Sequence, residues 1–320
     1  IKIETDKGII GWGEAFGYTS IETTKAALKT MIIPHLIGKT IQTKNDILII
    51  NKELHLKMHV FGRYGITMFA ISGIDIALWD IVGKAENKSI ADLLGGLKVN
   101  SLKAYASLFL YDNPEATSKV SLKAKNEGYE IIKLHENKMD PIKSSRSAIG
   151  ETALMVDVNC VWPEEYMEEI IGILKDANLY WLEEPTIPED ILGYSRIQNE
   201  GNLPIAAGEN FKSIYEFKNL INQGGVTFPE PDVSNCGGIT TWMKIAALAE
   251  ANNLEITSHG VHDLHVHLLA SIPNSSYLEI HGFGLDNFIK NPLKIQNGIA
   301  RAPNSYGHGI EFKWDELNSI

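Results

Sequence analysis

The stretches 154–159 (LMVDVN), 180–185 (YWLEEP) and 204–210 (PIAAGEN) each run from apolar residues into an acid, namely Asp157, Glu183 and Glu209. The three acids stand at one interval, since 183 − 157 = 26 and 209 − 183 = 26. A strand, a helix and two loops take up about that many residues in a β/α barrel. Carboxylates in phase with such a repeat stand side by side at the C-terminal mouth of three successive parallel strands. Charges of one sign crowded together need a cation. Three carboxylate oxygens with open positions suit Mg²⁺.

The same rhythm extends on both sides. Apolar strand candidates fall at 102–107, 129–134, 153–157, 180–183, 205–207, 227–229, 255–258 and 277–279, with helical patterns between most of them, as at 163–177, 213–222 and 240–252. Eight strands joined by crossover helices predict an α/β fold, a closed parallel (β/α) TIM-type barrel. An open doubly wound sheet is the alternative, and acids at so many strand ends fit the barrel better. Upstream, residues 1–15 read as a hairpin turning at Asp6-Lys7-Gly8. Helical patterns follow at 24–36, 45–59, 67–84 and 90–94, the last stopped by Gly95-Gly96. The expected organisation is an N-terminal α+β capping domain over 1–98, a barrel over 99–298, and a tail over 299–320 that forms no barrel strand and packs back on the cap. The chain opens inside a strand without Met, so the expectation is that the cap lacks its first strand.

Bulk properties narrow the function. A chain of 320 residues accommodates one barrel and a smaller companion. The formal net charge of −11 argues against a nucleic-acid surface. Two cysteines, Cys160 and Cys236, support neither a disulfide framework nor a thiolate zinc site. The longest apolar run, 69–82, is interrupted by Asp75 and Asp80, and no membrane span is expected. A cytoplasmic enzyme follows as the expectation.

Further strand ends add chemistry. FPEPDVSN carries Asp232, ITSHG carries His259, and SYLEIHG carries Glu279. IIKLHEN carries Lys133 and His135, two apart, so both side chains leave one face of a strand. Asn159 faces as Asp157 does and is a candidate contact for a substrate hydroxyl. A lone acid at a strand end usually caps the next helix, and three in phase reverse that reading. His262, His265 and His267 read as the opening of a helix rather than a metal tract. Asn235-Cys236-Gly237-Gly238 lacks a Walker lysine and reads as a turn.

Several of these segments, in one order, resemble the enolase superfamily in its mandelate racemase subgroup. They run from GWGEA (11–15) through GIDIALWDIVGKA (73–85) to GHGIEF (307–312), nearly the whole chain. The resemblance implies a Mg²⁺ site at Asp157, Glu183 and Glu209, a His259–Asp232 dyad, and an eighth-strand acid at Glu279. It implies removal of the proton α to a substrate carboxylate through an enediolate, with Mg²⁺ offsetting the added charge. Lys133 then adds a positive contact. Glu279, if protonated, donates to the developing oxyanion, and His259 carries the proton.

The subgroup usually has Lys-x-Lys on its second strand, whereas this chain has Lys133-Leu134-His135, and its stretch from there to Asp157 is shorter. That departure favours a one-base dehydration of a hydroxy or sugar acid to a 2-keto acid. Racemisation or epimerisation of a 2-hydroxy acid or amino-acid derivative is the alternative. A non-catalytic metal-binding barrel is a third, opposed by the intact His259–Asp232 pair. The expected partners are a small-molecule carboxylate and further copies of the chain in a homo-oligomer.

Overall fold

The computed structural model describes residues 1–162, 174, 177–281 and 285–318. Most of the helix expected over 163–177 lies outside these. The N-terminal hairpin pairs β1 (Lys2–Glu4) with β2 (Ile10–Trp12) antiparallel. Helix α1 (Ile21–Ala27) does not continue as one α-helix to residue 36. It passes into a π-type turn over Leu28–Ile32 and a 3₁₀ turn over Ile33–His35 that contains Pro34. A proline has no N–H for the helical ladder, so the helix tightens and stops there. Helix α2 (Lys44–Lys57) starts on a Thr43/Asp46 capping box.

Helix α3 (Gly65–Glu86) holds the molecule together. Nearly every residue from Thr67 to Gly83 is buried. Its length and composition would suit a membrane span, which corrects the expectation that no run is long enough, but 83% of that window is buried inside the fold. The two acids that interrupt it are satisfied. Asp75 accepts from Asn51 Nδ2 at 2.9 Å and Thr240 N–H at 2.8 Å. Asp80 accepts from Trp12 N–H at 2.9 Å and His308 N–H at 3.2 Å, and pairs with Lys84 at 2.6 Å. One helix thus ties together the hairpin, a later helix and the C-terminal tail.

The main sheet is parallel, in the order β3 (Leu102–Leu108), β4 (Ile131–His135), β5 (Ala153–Asp157), β6 (Trp181–Glu183), β7 (Ile205–Ala207) and β8 (Phe228–Pro229). The last parallel strand, β9 (Leu278–His281), returns to pair with β3, matching Tyr105 to Glu279 and Ser107 to His281. The seventh candidate, 255–258, is not a regular strand. It bonds from Thr257 N–H to Pro229 O at 3.0 Å and from Ile256 N–H to Asn274 O at 2.9 Å. The tail adds a short antiparallel strand beside the parallel ones. β10 (Ile299–Ala300) lies antiparallel to the start of β3. Farther on, His308 and Trp314 reach Trp12 of the hairpin.

Side chains on one face of a strand recur every second residue. Tyr105, Ile131, Met155, Trp181, Ala206 and Phe228, one from each strand β3 to β8, form a buried apolar cluster of their own. The rings of Tyr105 and Trp181 meet edge to face at 5.6 Å. Two residues beyond this layer toward the strand ends come Lys133, Asp157, Glu183 and Glu230. Glu279 stands two beyond Tyr277, which packs on the same cluster. The apolar layer therefore floors a polar one.

Candidate active site

Asp157 and Glu183 are the last residues of β5 and β6 and are register partners. His135 is in turn the partner of Asp157. Glu209 lies beyond β7, after Gly208, whose φ is +158°. A Cβ at Gly208 would stand 2.5 Å from the Glu230 carbonyl, so the loop can turn back over the sheet only with glycine there. The turn brings Glu209 to the other two acids. One oxygen from each of Asp157, Glu183 and Glu209 lies within 4.8 Å of the others. An all-oxygen donor set of this kind fits a hard divalent cation.

Lys133 is fully buried among acids. Its Nζ lies 2.5 Å from Glu183, 2.7 Å from Glu279 and 3.9 Å from Asp157. Burial alone would lower its pKa, but the surrounding carboxylates outweigh burial and hold it well above the usual lysine value. Burial lifts Glu183 to about 8, against the pull of Lys133. Burial also opposes ionisation of Asp157, yet the His135 hydrogen bond and Lys133 keep it below its ordinary value. His135 Nδ1 donates to Leu108 O at 2.6 Å, and its Nε2 lies 3.3 Å from Asp157.

His259 Nδ1 bonds to Asp232 Oδ2 at 2.9 Å, and its Nε2 points at Glu209, 2.7 Å away. Burial opposes a charge on His259, while Glu209 and Asp232 raise its pKa well above that of a free imidazole. Asp232 is fixed from behind by the N–H and hydroxyl of Ser234, at 2.7 and 2.6 Å on Oδ1. Gly260 must be small, because a Cβ there would stand 2.8 Å from Asp232 Oδ2.

Glu279 and Asn159 are both tied into the site by hydrogen bonds. Glu279 accepts from Gly260 N–H at 2.8 Å and pairs with Lys133 and with His281. Burial opposes its charge, but His281 and Lys133 hold its pKa well below the ordinary value. Asn159, at φ +47°, donates from its amide to Asp157 Oδ2 at 3.1 Å.

Five residues near the site were not singled out in the sequence as having a role. Glu230 is fully buried and accepts from Tyr105 Oη at 3.0 Å; burial, with Glu183 nearby, raises its pKa well above normal. Asn210 Nδ2 bridges Glu184 at 2.8 Å and Glu209 at 3.3 Å. Lys212 Nζ bonds the Glu209 carbonyl at 2.7 Å. His281 pairs with Glu279 at 2.8 Å. Each of Glu230 and His281 sits two residues past a residue of the layer below, which is the sequence signal that points to it. By contrast His265 and His267 are structural. His265 accepts from Val233 N–H, and burial drops its pKa to about 4. A cavity of about 710 Å³ lies elsewhere, between the tail and Lys84, and none of these residues lines it.

Two family models account for most of the sequence. Residues 1–95 match the mandelate racemase / muconate lactonizing enzyme N-terminal domain, and residues 116–316 match the enolase C-terminal domain-like family. The chain belongs to the enolase superfamily, in its mandelate racemase / muconate lactonizing enzyme family.

It is similar to a 3,6-anhydro-alpha-L-galactonate cycloisomerase of Streptomyces coelicolor, 37% identical across all of this chain and 90% of that protein. It also resembles a D-galactonate dehydratase of Pectobacterium atrosepticum, 35% identical over 81% of this chain and 70% of the other. Among solved structures, a racemase from Streptomyces coelicolor with bound magnesium superposes with a TM-score of 0.91 at 33% identity, covering 100% of this chain and 90% of that one. As a member of this family the protein is a Mg²⁺-dependent lyase or isomerase, and two of these relatives are named for sugar-acid substrates.

Proposed function

We propose that this enzyme removes the α-proton of a sugar-acid carboxylate and expels the oxygen on the β-carbon, giving a 2-keto-3-deoxy acid. One observation carries the reading. A cluster of three carboxylates is flanked on one side by a buried lysine cation and on the other by a histidine–aspartate pair. In this reading Asp157, Glu183 and Glu209 hold Mg²⁺, which supplies Lewis-acid relief of the charge that builds on the substrate carboxylate.

The side chains do the rest. Lys133, kept charged by its acidic neighbours, contacts the substrate carboxylate. His259 takes the α-proton on Nε2, and Asp232 holds the proton on Nδ1 and stabilises the imidazolium. Glu279 keeps Lys133 charged and placed. His135, whose Nδ1 is spent on Leu108, has only Nε2 left for a substrate hydroxyl, in exchange for its 3.3 Å approach to Asp157. Asn159 steadies Asp157. The position of Lys133 works against a two-base racemase, because a lysine ion-paired to two acids holds its proton.

Dehydration is the first form of this chemistry. The 37% identical cycloisomerase supports a second form, in which the β-oxygen belongs to a ring ether and stays on the product. Both share proton abstraction and C–O cleavage and differ only in what the oxygen carries.

The reading includes a closed barrel, with 255–258 as its seventh strand between β8 and β9. The two backbone bonds from Thr257 and Ile256 support that closure. It divides the chain into a cap at 1–98, a barrel at 99–298 and a tail at 299–320. It also includes a cytoplasmic location and a homo-oligomer, the latter supported by the exposed apolar cap residues Val60, Phe61 and Tyr64.

A panel of sugar acids incubated with Mg²⁺ and assayed for 2-keto acid, with α-proton exchange followed in D₂O, tests the proposal. Exchange and 2-keto acid from at least one sugar acid are expected. Change of optical rotation without 2-keto acid would establish the racemase instead.

A further inference from the structure

Elimination needs two proton movements, one off the α-carbon and one onto the leaving oxygen. His259 accounts for the first. The second role belongs to a group at the same opening, held by a partner other than Asp232.

His281 meets these conditions. It ends β9, two residues past Glu279, and is the register partner of Ser107. In β4, His135 likewise stands two residues past Lys133, so the two histidines rise from neighbouring positions on either side of β3. Their ring centroids are 6.3 Å apart. The His281 ring meets that of His259 edge to face at 5.4 Å. Nitrogens of His259 and His281 and an oxygen of Glu279 all lie within 4.8 Å of one another. The carboxylates of Asp157, Glu183 and Glu279 have no exposed side-chain surface, while the three imidazoles keep 7 to 17% of theirs. The histidines therefore form the accessible rim over a sealed acidic layer.

His281 also repeats the local chemistry of the first pair. His259 Nδ1 is bonded to Asp232 at 2.9 Å, and His281 Nε2 faces Glu279 Oε2 at 2.8 Å. Glu279 is anchored on that same oxygen by Gly260 N–H and on the other by Lys133. Burial lowers the His281 pKa, and this carboxylate, fixed by a buried cation and a backbone donor, acts against that lowering and favours the imidazolium. The site thus holds two imidazole–carboxylate pairs facing one opening, and the base uses only one of them.

We propose that the His281–Glu279 pair is the proton donor to the leaving β-oxygen, a role that rests on the elimination reading above. The α C–H bond breaks and its proton passes to His259 Nε2. The electron pair forms the Cα–Cβ double bond as the Cβ–O bond breaks. The departing oxygen takes the proton of the His281 imidazolium and leaves as water, or as a free hydroxyl where it closed a ring. The enol gains a proton at Cβ and becomes the 2-keto acid. Solvent returns a proton to His281 and removes one from His259, so the balance closes.

The test pairs a sugar acid converted by the wild-type enzyme with its 3-deoxy-3-fluoro analogue, using full-length protein with Mg²⁺. Fluoride leaves with little help from an acid, whereas hydroxide does not. In His281→Gln, 2-keto acid from the hydroxy substrate should fall ~10²–10⁴-fold, the usual worth of a general acid. Fluoride release and α-proton exchange should stay within ~10-fold of wild type. Exchange also reports that the variant is folded. His259→Asn should lose all three signals. Equal loss of all three in His281→Gln, or undiminished loss of hydroxide, overturns the proposal. Exchange that survives in His259→Asn shows instead that the base is misassigned. A wild-type enzyme that exchanges the α-proton and releases neither leaving group sinks the elimination reading and this proposal with it.

Discussion

Asp232→Asn separates a positioned base from a merely buried histidine. Asp232 is 3% exposed, and its Oδ1 is committed to two donors, the N–H and hydroxyl of Ser234. An asparagine in this place keeps its carbonyl on Ser234 and turns its NH₂ toward His259 Nδ1. Two donors cannot face each other, so the imidazole proton moves to Nε2, the nitrogen that must accept the α-proton. Loss of the right tautomer costs up to ~10⁴-fold in a serine-protease triad, so turnover here should fall ~10²–10⁴-fold.

The charge is lost as well. A hydrogen bond to an ionised group contributes about 1.5–3 kcal/mol, and its loss lowers the His259 pKa. The base must be neutral, so activity rises with pH through that pKa. The acidic limb of the profile should therefore move to lower pH while the plateau drops. Asp232 is bonded to Ser234 and His259 rather than to Asp157 or Glu183, so Mg²⁺ affinity should hold. The assay is kcat against pH at saturating Mg²⁺, with a parallel metal titration. A plateau equal to wild type, or a limb that moves up in pH, refutes the tautomer argument.

Removing Mg²⁺ with a chelator should lower the thermal midpoint, since a ligand at 100 times its Kd stabilises by ~2.7 kcal/mol; the same shift should nearly vanish in Glu183→Gln. For Asp75, burial lifts the pKa from 3.8 to about 6 despite its bonds to Thr240 and Asn51, so the fold favours the protonated form. That contribution is fully present below 3.8 and is lost as pH rises through 6. It amounts to about 3 kcal/mol, and the urea midpoint of Asp75→Asn should gain on wild type between pH 4 and 7.5. In His135→Asn, binding should weaken while α-proton exchange persists for whichever enantiomer wild type exchanges; loss of exchange for one enantiomer alone, in D₂O NMR, would favour the two-base racemase.

Much of this site was legible because a buried parallel strand writes its face into the sequence with a period of two. Met155 to Asp157, Trp181 to Glu183 and Ile131 to Lys133 each step from the apolar floor to the polar layer. The same step from Phe228 reaches Glu230 and from Glu279 reaches His281, but nothing along the chain says which neighbour each will meet. Those meetings are set by register between strands distant in sequence, as when Ser107 brings His281 level with Lys133. Titration was less legible still, because the Glu279 pKa is lowered not only by His281 on its own strand but also by Lys133 from β4, against the effect of burial.

Glu209 shows how a correct phase can hide a different geometry. Asp157 and Glu183 pair directly, whereas the register partner of Glu183 on β7 is Ala206, three residues before Glu209. The second interval of 26 is thus not a strand-end to strand-end distance. It is a shorter step plus a turn at Gly208 that carries the carboxylate back over the sheet. That detour also explains why Glu209 keeps 17% of its side chain exposed when its two companions keep none. Of the three acids it is the one placed by a loop. The same loop puts it within reach of His259 Nε2, so the most exposed of the three acids is also the one in contact with the base.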